Sequence, residues 1–330
     1  MLVGDLAIVL NLLSIAVLAF AISVVLLCIS SRTILNRLAH FTFGMRKAIL
    51  WALVSAPWWI AAGCVAVLWP SLPDIFAATW LDGLAHWHHV DLFSFTSWHA
   101  ITLFSAAAYA TWSIARNVFY RRKQASAMTA LLSLSDIKPE TTTEQSRYYS
   151  LALSIPTAFT AGLIRPKIFV TTALEQQVNP QQLDIIVRHE MAHVAARDPL
   201  FKTVFAALAC FYPAGIARGL ITQFTLLTEQ IADHAATDAY DNLDVAQTLI
   251  DVARLQRNLN FGNKSPHCDG VASYFGNDQT SVRVQCLINP ALSTSRSAIV
   301  LALLLFSCSP LLVASTVDSL HHFIETFITH

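Results

Sequence analysis

Only 13% of the 330 residues are charged and 55% are hydrophobic, where soluble globular domains carry about 25% charged residues, so the composition argues against a wholly water-soluble chain and for a membrane protein. Lysines and arginines (21) balance aspartates and glutamates (21), which leaves no basic footprint for nucleic acid. The six cysteines (Cys28, Cys64, Cys210, Cys268, Cys286 and Cys308) have no paired spacing, which excludes a CxxC metal knuckle and argues against a disulfide framework.

A bilayer core takes about 20 apolar residues in a helix, and four stretches meet that length. The first is 7–29, read as an uncleaved anchor because it is too long for a signal-peptide core and has no basic residues before it. The second is 48–69, where neighbouring helices must satisfy the carbonyl freed by Pro57. The third, 97–118, ends at Arg116, and the fourth is 298–317. The loop 30–47 carries Arg32, Arg37, Arg46 and Lys47, and the third span is followed by Arg121, Arg122 and Lys123. The segments 1–6, 71–97 and 318–330 carry no Lys or Arg, so all 21 basic residues fall on one side of a four-span arrangement. The positive-inside rule then puts both termini outside and 119–297 in the cytoplasm. Trp69, Trp80, Trp87 and Trp98 would form the outer aromatic belt. Domain by domain, this gives a three-helix membrane region (1–118), an inserted cytoplasmic domain (119–297), a fourth span (298–317) and a short outer tail (318–330).

The outer loop "HWHHVD" (86–91), with His99, His321, His322 and His330, raises metal or pH sensing, against the simpler reading of solvated polar groups at an interface.

The inserted domain reads as α+β. A helix is expected near 121–134, strands near 148–154, 157–161 and 167–172, and a helix near 242–259. A loop rich in Gly, Asn and Ser spans 261–280. "NPQQ" (179–182) opens a further helix: Asn179 caps, Pro180 suits the first turn, and Gln182 completes a capping box. That helix runs to Asp198-Pro199 and carries "RHEMAH" (188–193). His189 and His193 lie one turn apart on one face, so both imidazoles can reach one Zn²⁺, and Glu190 stands beside that face as a general base. This HExxH spacing would arise by chance on the order of 0.01 times in a chain of this composition. A catalytic zinc needs a third protein ligand. In "LLTEQIADHAATD" (226–238) Glu229 is the candidate, with His234 as a rival ligand and Asp233 placed to hold a ligand imidazole. Asp198 is placed to do the same. The bland alternative for Glu229 and Asp233 is a solvated helix face, which the apolar run around them disfavours. The apolar run 203–217 is short and broken by Pro213. It reads as a buried helix or a hairpin dipping into the membrane, since a further crossing would separate Glu229 from His189. For the oxyanion donor His234, Tyr240, Arg254 and His267 remain open.

The stretches "GLIRPKIFVTTAL", "QQLDIIVRHEMAHVAARDPLFK", "FYP" and "TEQIADHAA" resemble the BlaR/MecR-type signal-transducing membrane metallopeptidases over roughly 95–316. The resemblance implies a zincin-like domain between a third and a fourth membrane helix. It puts one zinc on His189, His193 and Glu229, the catalytic glutamate at Glu190, and supporting aspartates at Asp198 and Asp233. It also implies a turn at Gly162–Pro166 leading into an edge strand, 167–172, on which Lys167, Ile168, Phe169 and Val170 would hold substrate by β-augmentation. Antibiotic-sensing members carry a large penicillin-binding domain after the fourth helix. Here 318–330 is too short for a domain, so direct β-lactam acylation is not expected. The implied function is membrane zinc endopeptidase, cutting a cytoplasmic repressor or a membrane protein. A second resemblance is to HtpX-type quality-control proteases, and a non-catalytic sensor or scaffold is the reading from a different class.

Overall fold

The computed structural model describes residues 2–69, 92–95, 98–134, 141–143, 146–260, 277–289 and 296–328. The outer-loop histidines 86–89, Trp80, Trp87 and His267 lie outside the described residues, as does most of the loop 261–280. The chain divides into two units. One comprises Met1–Ala115, Leu208–Ala217 and Ser293–His330, and the other Arg116–Ala207 and Arg218–Leu292.

In the first unit, long apolar runs with few helix breakers become long helices. With neither glycine nor proline between them, Asp5–Arg37 form α1. A 3₁₀ turn (Leu38–His40) leads to α2, Phe43–Val67. These two helices are long and apolar enough to cross a membrane. They pack with α10 (Arg296–Ile328) around Leu12, Ile15, Ala19, Ala56, Ile60, Cys64 and Val317. Gly63 is required at this contact, because a Cβ there would meet Pro310 Cβ at 2.8 Å. Helix α10 does not stop at 317: the expected span and tail are one helix, since nothing after Pro310 interrupts it. A two-stranded pairing, β1 (Leu2–Val3) with β2 (Leu92–Phe93), was not expected from the sequence.

Pro57 sits inside α2 and has no N–H to offer the carbonyl of Leu53. Tyr212 supplies the missing donor, its hydroxyl lying 2.6 Å from that carbonyl. Phe211 packs edge-on against Phe20 and Trp58, and its carbonyl accepts from the Tyr109 hydroxyl at 2.9 Å. The run 203–217 is therefore the turn of a helical hairpin, formed by α6 (Asp198–Ala209) and α7 (Ala214–Ala236), and its tip belongs to the first unit.

The third expected span and the helix expected near 121–134 are one element, α3 (Trp98–Leu134). No proline or glycine lies between those ends, so the basic cluster at 121–123 ends the apolar run without ending the helix. In the second unit Arg121 donates to the Thr203 carbonyl at 2.6 Å.

The second unit holds a four-stranded sheet in the order β3-β4-β6-β5, formed by Thr141–Thr143, Ser146–Leu151, Lys167–Thr171 and Ala158–Ala161 respectively. The β4–β6 pair is parallel and the other two pairs are antiparallel. Gly162 makes the β5–β6 turn with φ 112°, and a Cβ there would come within 2.7 Å of the Arg165 carbonyl. Thr171 caps the short α4 (Thr172–Gln177).

This order corrects the expected substrate strand. β6 pairs with β5 along Lys167–Val170 and with β4 along Phe169–Thr171, so the strand of Lys167, Ile168, Phe169 and Val170 lies inside the sheet and is not an edge. Ile168, Phe169 and Val170 are buried, and Lys167 lies over the Tyr149 ring. The edge beside the HExxH helix is β5.

That helix, α5, spans Pro180–Ala196 and opens with the expected capping box between Asn179 and Gln182. Its apolar face (Leu183, Ile186, Val187, Val194) closes a core with Tyr148, Ala158, Ile168, Val170 and Leu174 of the sheet side and Val252 of α8 (Asn242–Asn260). A second core joins Ile185 to Ala236, Val245, Ala246 and Leu287, the last on α9 (Asn277–Ile288).

Candidate metal centre and active site

His189, Glu190 and His193 are buried on α5, and Glu229 and Asp233 are buried one turn apart on α7. The i,i+4 spacing on each helix turns both pairs inward. His189 Nε2 and His193 Nε2 lie 3.2 Å apart. Glu229 Oε2 is 3.4 Å from the first and Oε1 is 3.5 Å from the second. A tetrahedral Zn²⁺ with ligands at about 2.0–2.1 Å needs those ligands about 3.3–3.4 Å apart, and three nitrogen and oxygen donors at this spacing are the set zinc prefers. The residues present fit the ion, and among the described residues they form the one such cluster of His, Cys, Asp or Glu.

The remaining ring nitrogens are also held. His189 Nδ1 is 2.9 Å from Asp233 Oδ1, and His193 Nδ1 is 2.6 Å from Asp198 Oδ2. A carboxylate at Nδ1 keeps the proton there and leaves the Nε2 lone pair for a metal. Asp198 reaches back because Arg197, at φ 52°, is left-handed and turns the chain sharply between α5 and α6. The helix thus ends at Ala196, one turn element earlier than a simple stop at Pro199 implies.

Charge accumulates in this pocket and is balanced within it. Burial opposes ionisation of Glu229, yet the Lys202 ammonium and the two imidazoles hold its carboxyl well below the usual carboxylate range. Lys202 Nζ donates to Glu229 Oε1 at 3.1 Å. Burial likewise works against protonation of His193, but Asp198 and Glu229 outweigh it and raise its pKa to about 9 before any metal binds. His189 moves the same way, burial being overcome by Asp233 and Glu229. Asp233 is held low despite its burial, chiefly by the Arg283 guanidinium. Glu190 Oε2 accepts from Thr160 Oγ1 of β5 at 2.7 Å, which fixes the carboxylate beside His189.

The structure thus brings together His189, Glu190, His193, Asp198, Glu229 and Asp233. His234, the rival ligand, is exposed on the next position of α7. Of the open oxyanion candidates, Tyr240 donates to Asp184 at 2.7 Å, and Arg254 is 70% exposed beside Asp251. Sequence reasoning missed Thr160, Lys202 and Arg283. Arg283 left a signal, a single charge inside "SVRVQCLI" (281–288), whose burial demands a partner. Lys202 and Thr160 left none beyond their place near expected elements.

Residues 87–213 match the family model described as BlaR1 peptidase M56. The matched segment includes α5, Thr160, Asp198 and Lys202, and ends before Glu229. No curated protein matches the chain, and no solved structure does. The family is one of peptidases, and two apolar helices, Asp5–His40 and Phe43–Val67, supply the length for membrane association. Residues 87–213, which carry the HExxH helix, are thus similar to the BlaR1-type peptidases of the M56 family.

Proposed function

We propose that the protein is an integral-membrane zinc endopeptidase that cuts a cytoplasmic or membrane protein in regulatory signalling. The observation that carries this reading is the set of donor atoms on His189, His193 and Glu229, spaced as zinc ligands, with the Glu190 carboxylate alongside. When bound, the ion would supply a Lewis acid for the scissile carbonyl and lower the pKa of water to about 7. Glu190 takes the proton from the attacking water and returns it to the leaving amine. Thr160 aims that carboxylate, Asp233 and Asp198 hold the imidazoles, and Lys202 offsets the charge of Glu229. An extended substrate pairs with the free edge of β5, which carries Thr160 and so runs past the base. The distribution of Lys and Arg supports four spans with both termini outside and the peptidase unit in the cytoplasm. The first half of α3 and α10 serve as the third and fourth spans.

The test is a quantitative comparison of new peptide N-termini in cells expressing the intact chain or Glu190→Gln. That variant keeps the metal donors and loses the base, so cleavages confined to the intact chain are expected and would name the substrate. Identical profiles under resting, cell-wall-stress and metal-stress conditions would leave a membrane sensor without turnover as the better reading.

A further inference from the structure

We infer that Arg283 is a positioning residue of the metal centre, acting on His189 through Asp233. This rests on the zinc reading above. Arg283 lies on α9, 50 residues beyond Asp233, and its side chain is 2% exposed. Its Nε donates to Asp233 Oδ2 at 2.7 Å and its Nη2 to Oδ1 at 2.6 Å, while Nη1 stands 3.6 Å from Glu229 Oε2. The pairing is two-pronged, and a planar fork on a planar carboxylate fixes the plane of both. Asp233 Oδ1, one of the two oxygens so held, is also the acceptor for His189 Nδ1.

The consequence is geometric. An aspartate held only by an imidazole can swing about its χ angles, and the imidazole swings with it. An aspartate clamped by a guanidinium cannot, so His189 Nε2 is aimed at one point before a metal arrives. The third nitrogen of Arg283 stands 3.6 Å from the Glu229 oxygen nearest His189, beyond hydrogen-bond reach, so the side chain acts through Asp233. Charge supports the assignment. Asp198, Asp233, Glu190 and Glu229 bring four carboxylates into the pocket, and Lys202 and Arg283 bring two cations. A divalent ion completes neutrality. Arg283 is not needed simply to fasten α9, because Leu287 of the same helix is already buried against Ile185, Ala236, Val245 and Ala246.

The experiment measures Zn²⁺ affinity of the full chain in lipid nanodiscs by competition with a chromophoric chelator, for the intact protein and Arg283→Lys. Lysine keeps the charge and the ion pair but has no fork. A purely structural ion pair would therefore leave zinc affinity unchanged. The expected result is a 10–100-fold loss of affinity, the range for partners of metal ligands, with the melting temperature of the metal-free protein close to that of the intact chain. Affinity within twofold of the intact chain would overturn the inference. If Arg283→Lys does not fold, Asp233→Asn is compared with the double variant Asp233→Asn, Arg283→Met. Equal zinc affinities are expected, since Arg283 acts through the Asp233 carboxylate, and a further tenfold loss in the double variant overturns this. An intact chain that takes up no zinc would overturn the zinc reading and this inference together, whereas normal uptake with an unchanged lysine variant would overturn only the inference.

Discussion

The two units bury polar side chains in different ways. In the first, hydroxyls bond to their own helix: Ser23 to the Ala19 carbonyl at 2.6 Å, Ser14 to Leu10, Ser55 to Trp51 and Thr102 to Trp98. The second has such bonds too, Thr203 to Pro199, Thr228 to Thr225 and Thr248 to Asp244, and adds bonds between side chains of different elements: Thr160 to Glu190, His193 to Asp198, His189 to Asp233, Arg283 to Asp233 and Lys202 to Glu229. A hydroxyl that back-bonds to its own helix hides a polar group and organises nothing else. A bond between elements sets the distance between two backbones. Buried polarity alone does not mark a site, therefore; bonds between side chains of different elements do. The first unit also has bonds between elements, Asn11 to Leu92, Cys64 to Pro310, Tyr109 to Phe211 and Tyr212 to Leu53, but each ends on a backbone carbonyl, and the last fills the gap that Pro57 made in α2.

The strongest way to break the comparison is to remove a donor on which several of these bonds converge. Glu229→Gln replaces an anionic oxygen ligand with a neutral amide that is a poor partner for zinc, for the two imidazoles and for Lys202. Zinc affinity is expected to fall by more than the 10–100-fold typical of outer partners. Chelator competition measures it, and a loss below about tenfold would mean that Glu229 is not a ligand.

The second effect separates the metal-free pocket from the loaded one. His193 is raised to about 9 in the folded, metal-free protein, above its unfolded value of about 6.5. Its contribution to stability is therefore fully present below about pH 6.5 and is lost as the pH rises through about 9. Zinc binding has the opposite sign, since the protons must leave first, and tightens over the same window. The melting temperature of chelator-treated protein should fall between these pH values while the increment given by zinc grows. Asp198→Asn, which removes the carboxylate at Nδ1, should flatten both trends.

The parts of the site legible in the sequence are those held together over a few residues. His189, Glu190 and His193 follow from one helical turn, and the capping box at Asn179 and Gln182 fixes where that helix begins. Asp198 follows from its nearness to His193 along the chain. Glu229 and Asp233 stood out as carboxylates in an apolar run. Arg283 is likewise a lone charge in an apolar run, but its partner lies 50 residues away and no periodicity links them, so its role was not legible. The fold shows the same division. Elements were legible where composition changes with structure, as at the end of α2. They were misjudged where it does not: α1, α3 and α10 each continue past the residues expected to end them, because a change from apolar to polar is not a helix stop. The placement of β6 was misjudged although a signal existed. "KIFVT" is apolar at Ile168, Phe169 and Val170 without alternation, as interior strands are, whereas an edge strand alternates.

The smallest expected effect is the sharpest check on the comparison, because it matches two hydroxyls of similar bond length. Thr160→Val removes the bond to the Glu190 carboxylate and keeps the β-branched shape that β5 requires. A hydrogen bond to a charged group is worth about 1.5–3 kcal/mol, so turnover should fall about 10–100-fold while zinc affinity holds. Ser23→Ala removes a bond that is just as short, 2.6 Å against 2.7 Å. The Ala19 carbonyl keeps its place in the helix ladder, and alanine is the better helix former, so stability and turnover should both stay within measurement error. If Ser23→Ala impaired turnover as Thr160→Val does, a side-chain partner on another element would not be what distinguishes a positioning bond from a merely satisfied one. Ser23 would then belong to a network in the first unit that these contacts do not reveal.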